Sequence, residues 1–128
     1  MHLQEEEALR LAARAPGTID LFISHERPAG ITGRFRHDLG GSEALALLLD
    51  AVKPPLAFFG HYDRQGEFSL GGTRVFGLAG CGYERKGEGP VKRGGIAIVD
   101  WTAPDPVVEL LEPEWLRGVR LGEWRRWG

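Results

Sequence analysis

Two apolar runs in this chain each end in a histidine. Ile19-Asp20-Leu21-Phe22-Ile23 leads into Ser24-His25-Glu26, and Leu56-Ala57-Phe58-Phe59 leads into Gly60-His61-Tyr62-Asp63. Short apolar runs bounded by turn-forming residues read as buried strands. Each would deliver its histidine at a carboxyl end, where open α/β sheets place their ligands. Imidazole and carboxylate are good donors to divalent transition metals, so His25, His61 and Asp63 are the candidate ligands. Residues 61 and 63, two apart in an extended segment, can point the same way. Arg27, Arg34, Arg36 and His37 follow His25 on a stretch broken by Pro28, Gly30, Gly33, Gly40 and Gly41. They make that stretch polar and mostly cationic, and such loops commonly carry function.

The elements that must position these residues follow from the pattern around them. Leu3 to Ala15 reads as a helix, with Glu5, Glu6 and Glu7 near its start and Arg10 and Arg14 near its end, as the macrodipole favours. Ala8, Leu9, Leu11 and Ala12 give it an apolar face, and Pro16-Gly17 stops it. Ser42 is an N-cap for a second helix with Glu43 in its first turn. Its interior, Ala44 to Leu49, is apolar almost all round, which predicts cover on more than one side. Lys53-Pro54-Pro55 ends it. Downstream the chain reads as antiparallel β. Glu67 to Leu70 and Thr73 to Phe76 flank Gly71-Gly72, a hairpin signal. Ile96 to Trp101 and Val107 to Leu111 are further strands, with Pro104 and Pro106 in the turn between them. Tyr83 to Gly95, charged and rich in glycine, reads as a mobile surface loop.

The composition narrows the class. A chain of 128 residues, 42% hydrophobic, reads as one domain able to bury a core. The expected layout is a single domain over 1–128, with a core at about 3–112 and a tail at 113–128. The net charge of −2 gives no nucleic-acid signal. No stretch has the ~20 apolar residues of a membrane span. The acidic start, Met1 to Glu7, lacks an apolar signal core. The lone Cys81 has no partner for an internal disulfide, which suits a cytoplasmic setting. Asparagine is absent, and glutamine, cysteine and methionine are scarce, as in proteins from thermophilic or high-GC sources.

Order and spacing together resemble one family. The series is Ile23-Ser24-His25, then Gly41-Ser42 opening a leucine-rich helix, then Lys53-Pro54, then Gly60-His61-Tyr62-Asp63. It resembles the carboxyl-terminal half of the calcineurin-like metallophosphoesterases. The likeness runs to about Trp101, and it implies half of a four-layer α/β/β/α sandwich, a mixed sheet plus antiparallel strands. It also implies that His25 and His61 bind one of two divalent ions (Mn, Fe, Zn or Co). Asp63 stands where the family has a second histidine. The implied reaction is hydrolysis of a phosphomonoester or phosphodiester by a metal-activated water, with two cations neutralising the phosphoryl charge. On that resemblance Arg27, Arg34 and Arg36 hold phosphate oxygens, and His37 does the same or gives a proton to a leaving group. The family's amino-terminal motifs, Asp-x-His, Gly-Asp-x-x-Asp and Gly-Asn-His, do not occur in this sequence. The chain therefore reads as the second half of such an enzyme, completed by an amino-terminal half or by a second copy that covers its exposed sheet.

Plainer readings stand beside these. His25 and His61 are also ordinary strand-end histidines by position, and Asp63-Arg64 also suits a turn and an ion pair. The loop arginines suit solvation, His37-Asp38 a loop hydrogen bond, and Trp115, Trp124 and Trp127 packing anchors. On function, the alternatives are a non-catalytic remnant or interaction module of the same fold, and a mononuclear metal-binding protein using His25, His61 and Asp63.

Overall fold

The computed structural model describes residues 5–14, 16–31, 41–61, 65–79, 83–85, 88–91, 95–111 and 114–115. Two compact units emerge, Met1–His61 with Gly66–Gly77 and Tyr62–Gln65 with Leu78–Gly128.

The first unit is built on helix α1 (Glu5–Ala12), strand β1 (Leu21–Ser24), helix α2 (Glu43–Val52), and strands β2 (Leu56–Phe59), β3 (Gly66–Leu70) and β4 (Thr73–Gly77). α2 starts where the sequence says it should. Ser42 is extended, and its hydroxyl oxygen accepts from the Leu45 N–H, satisfying one of the orphan donors of the first turn. It ends at Lys53, which takes the left-handed conformation (φ 45°) and donates its N–H to the Leu49 carbonyl. Pro54 then cannot continue the helix. Leu45, Leu48, Leu49 and Val52 are buried, while Leu47 is 72% exposed. The expectation of cover on more than one side therefore gives way to a single buried stripe. α1 ends at Ala12, sooner than the expected Ala15, and its Leu9 is exposed. Gly17 N–H donates to the Val52 carbonyl and ties the turn before β1 to the end of α2.

The sheet has the order β1-β2-β4-β3. β1, β2 and β4 run parallel, and β3 returns antiparallel to β4 through the Gly71-Gly72 turn. β4 is thus not part of a purely antiparallel set, because its partner on the other side is a parallel strand reached by a crossover. β2 lies inside the sheet and is buried at every position, as a strand covered on both faces should be. β1 is an edge, with Ile23 71% exposed. Register aligns Ile23, Phe58, Phe76 and Glu67 across the four strands. On that side Phe58 stacks on Phe76 at 5.2 Å between centroids, and the Arg74 guanidinium lies 5.2 Å from the Phe76 centroid. Arg74 Nε also donates to Glu67 Oε1 at 3.1 Å. Thr73 is 2% exposed, and its hydroxyl donates to the Pro54 carbonyl at 2.8 Å, so β4 is fastened to the turn that feeds β2.

The second unit contains two antiparallel pairs. Strands β5 (Tyr83–Arg85) and β6 (Glu88–Val91) pair with Tyr83 opposite Val91. This corrects the loop expected over Tyr83 to Gly95. Tyr83, of a strand-forming type, pairs with Val91, another, a signal that the surrounding glycines and charges obscured in the sequence. Strands β7 (Ile96–Asp100) and β8 (Val107–Leu111) pair with Asp100 opposite Val107. At the end of β7 the Asp100 carboxylate accepts from the Thr102 N–H at 2.8 Å. Hydrogen bonds from the Thr102 backbone, and then from its hydroxyl, hold the Asp100 pKa below the ordinary 3.8. A lowered folded pKa stabilises the fold above the unfolded value, and this is lost as pH falls through the folded one. Stability of Asp100→Asn is therefore expected to approach that of the parent as pH drops below about 3.8 and to fall short of it at neutral pH, as read by urea unfolding across pH.

No helix among the described residues is long and apolar enough to cross a membrane.

Candidate functional site

β1 and β2 are neighbours in parallel register, with Ser24 beside Phe59. Their ladder extends one residue further, since Gly60 N–H donates to the His25 carbonyl at 3.2 Å. The two histidines therefore leave the same end of the sheet side by side. His61 then takes φ 67°, a left-handed backbone uncommon for a residue with a side chain. That turn interrupts the in-and-out alternation of an extended chain. His61 Nδ1 lies 2.7 Å from His25 Nε2, with the rings edge to face at 89° and centroids 4.8 Å apart. At this distance one ring donates and the other accepts, so one proton lies between the two nitrogens. Both side chains are exposed.

The spacing of the pair can be set against that of a bound divalent ion. Two nitrogens on one ion at 2.0–2.1 Å stand about 2.8–3.4 Å apart for octahedral to tetrahedral angles. The observed pair, at 2.7 Å, lies just below the short end of that range. Small side-chain rotations open it to the metal-bound separation, so the donor set fits. It supplies two donors. Asp63 lies outside the described residues, and among the described ones no three His, Cys, Asp or Glu side chains gather at one point.

The loop after His25 is held from inside. Arg27 is 2% exposed, and its Nη1 donates to the Ile31 carbonyl at 3.2 Å. The backbone closes the two ends of the loop on each other. Ala29 N–H donates to the Ser42 carbonyl, and Ser42 N–H donates to the Arg27 carbonyl, both at 2.9 Å. Arg27, expected on sequence as a phosphate contact, thus sits in the wall of the loop with its guanidinium on the loop's own backbone. Arg34, Arg36 and His37 lie outside the described residues. Ser24, named on sequence only as part of the Ser-His pair, donates its hydroxyl to the Glu26 carbonyl at 2.7 Å and shapes the turn at His25. A serine two residues before that carbonyl is the only sequence signal for this turn. The left-handed His61 carried no signal in residue type.

No protein-family model matches the chain. No curated protein matches it either. Among solved structures it is similar to TT1561 of Thermus thermophilus, at 16% identity with a TM-score of 0.44. The match covers 82% of this chain and 38% of that one, so the chain spans well under half the length of that protein.

Proposed function

We propose that this chain carries part of the site of a metal-dependent phosphoesterase, one that hydrolyses a phosphomonoester or phosphodiester with a metal-activated water. The observation that carries the reading is the convergence of His25 and His61 at the carboxyl ends of two adjacent parallel strands. A left-handed backbone at one of them adds support, since such conformations persist where the surroundings enforce them and cluster at functional sites. A bound divalent ion would supply charge neutralisation at the phosphoryl oxygens and a more acidic water. The chain's own part is to present His25 Nε2 and His61 Nδ1 to that ion, with Asp63 as a third donor. Arg34, Arg36 and His37 are proposed to meet the phosphate, and Arg27 to keep the loop in place. The donors of the family's amino-terminal motifs, absent from this sequence, would come from another polypeptide or a second copy. In this reading the protein is a half of the four-layer sandwich and works in the cytoplasm.

A second reading, an interaction module that keeps the fold without the chemistry, draws support from Leu21 and Ile23, both exposed on the edge strand. One experiment separates the two. The chelator-stripped protein is melted with and without Mn²⁺ or Zn²⁺, and hydrolysis of bis(p-nitrophenyl) phosphate is followed. At an ion concentration of 100 times Kd the expected stabilisation is about 2.7 kcal/mol. His25→Ala and His61→Ala should each remove it. His61→Gly should remove it too, while raising metal-free stability by about 1 kcal/mol through relief of the left-handed backbone. Equal responses of parent and variants, or none in the parent, would leave the interaction module standing.

A further inference from the structure

Among the described residues, β1 has one strand partner, β2, and stands at the outer edge of the sheet. In a parallel ladder a residue turns both of its main-chain groups to the same neighbour, and successive residues alternate. The His25 carbonyl accepts from the Gly60 N–H on the β2 side. Leu21, Ile23 and His25 therefore turn their main-chain groups to β2, while Asp20, Phe22 and Ser24 turn theirs outward. Edges of this kind are usually guarded by charge, lysine above all, or by proline. β1 reads Leu-Phe-Ile-Ser and has neither. The opposite edge, β3, does carry a charge, with the Glu67 side chain 53% exposed in the row that holds Ile23. Leu21 and Ile23, on one side of β1, are 37% and 71% exposed. From this edge we propose that the chain forms a two-fold dimer, in which β1 pairs antiparallel with β1 of a second copy about a dyad at Phe22, and the two sheets become one.

A second copy fits this edge because the strand is complementary to itself in that register. Leu21 lies opposite the partner's Ile23, and Ile23 opposite the partner's Leu21, so four exposed aliphatic side chains close on one another. These are non-hydrogen-bonded pairs of the new ladder, where facing side chains come closest. Phe22 meets the partner's Phe22 in a hydrogen-bonded pair, and Asp20 meets the partner's neutral Ser24. Neighbouring registers are worse. A dyad at Ile23 sets Asp20 against the partner's Glu26, and like charges directly opposite are destabilising. A dyad at Leu21 sets the Asp20 carboxylate against the partner's Phe22 ring. With the dyad at Phe22, the two His25 residues lie at opposite ends of the paired strands, about 20 Å apart at 3.3 Å per residue. Through this edge the second copy adds no donor to the His25–His61 pair, so the dimer does not rest on the phosphoesterase reading.

The test uses the full 128-residue chain, with and without chelator. Sedimentation velocity should show a monomer–dimer equilibrium with a Kd of roughly 100 µM, since an interface made by one strand is small. At the low concentrations of urea unfolding the chain is then a monomer. Ile23→Lys puts a charge on an exposed edge position, and it should weaken association at least about tenfold while leaving the circular dichroism unchanged. The register is read by disulfide trapping under oxidised glutathione, in a Cys81→Ser background. Residues of a non-hydrogen-bonded pair have Cα atoms about 4.5 Å apart, within reach of a disulfide. The double variant Leu21→Cys with Ile23→Cys should therefore trap a covalent dimer, and each single variant should trap little. Equally efficient trapping by Leu21→Cys or Ile23→Cys alone would move the dyad off Phe22 and overturn the proposal. A chain that stays monomeric at about 1 mM, or that dimerises unchanged with Ile23→Lys, would also overturn it, and would leave the edge to another polypeptide. The dimer should survive chelation, so loss of the metal response bears on the phosphoesterase reading and leaves this one untouched.

Discussion

Replacing Phe76 with alanine is expected to remove about 3–5 kcal/mol of stability, the range for deleting a buried aromatic ring. Phe76 is 1% exposed on β4, an inner strand of the sheet. Its ring carries the stack with Phe58 and lies under the Arg74 guanidinium, so truncation opens a space that two neighbours must fill. A domain of this size has about 5–15 kcal/mol in all, and the loss is a large share of it. Urea unfolding should show a lower midpoint with an unchanged slope. Ile23→Ala, two strands away in the same row and 71% exposed, is the control, with an expected change within about 0.5 kcal/mol. Comparable losses at both positions would mean that the register row is not buried as described.

The second large effect is expected at Gly41. Its φ is +62°, and a Cβ built there would lie 2.7 Å from the Pro28 carbonyl oxygen and 2.9 Å from its carbon. Those are backbone atoms, held by the bridge between Pro28 and Ser42, and they cannot swing aside as a side chain would. Gly41→Ala therefore combines a left-handed alanine, about 1–2 kcal/mol, with a clash that must push the two loop ends apart. The total should exceed about 2 kcal/mol by urea unfolding, the upper end of what backbone strain alone would cost. The damage should reach the histidines, because the displaced segment begins three residues after His25. Loss of the His25–His61 proton bridge would appear as separate, solvent-like imidazole resonances in the variant. Full stability in Gly41→Ala would show that the loop ends are not held together as the hydrogen bonds indicate.

Much of the site's scaffold was legible because each device is local. Ser42 as a cap, Lys53-Pro54 as a stop and Gly71-Gly72 as a turn are decided within four residues, and each is where the sequence puts it. The apolar runs at Leu21 and Leu56 became strands for the same reason. Their adjacency was written in neither run and appears only in the register, with Ser24 beside Phe59. What was illegible depends on partners distant in sequence or on backbone angles. The parallel pairing of β4 with β2 is invisible in a hairpin signal that describes only β3 and β4. The burial of Arg27 reverses the usual reading of a loop arginine, and it rests on a carbonyl four residues on that any residue could have supplied. The exposure of Leu47 could not be told from its leucine neighbours, since a uniformly apolar helix does not announce which side is left bare.

The two histidines lie 36 residues apart, and nothing local joins them. They meet only when β1 and β2 align, and that alignment requires the intervening loop and α2 to fold back across the sheet. The β3–β4 hairpin, by contrast, closes over two glycines. Loops that close over longer distances carry a larger entropic cost before any contact repays it. The hairpin and α2 should therefore mature first and the histidine pair late. The pair would then report the last stage of refolding: in stopped-flow experiments its imidazole environment should form with the slowest phase, after the helical signal has been recovered.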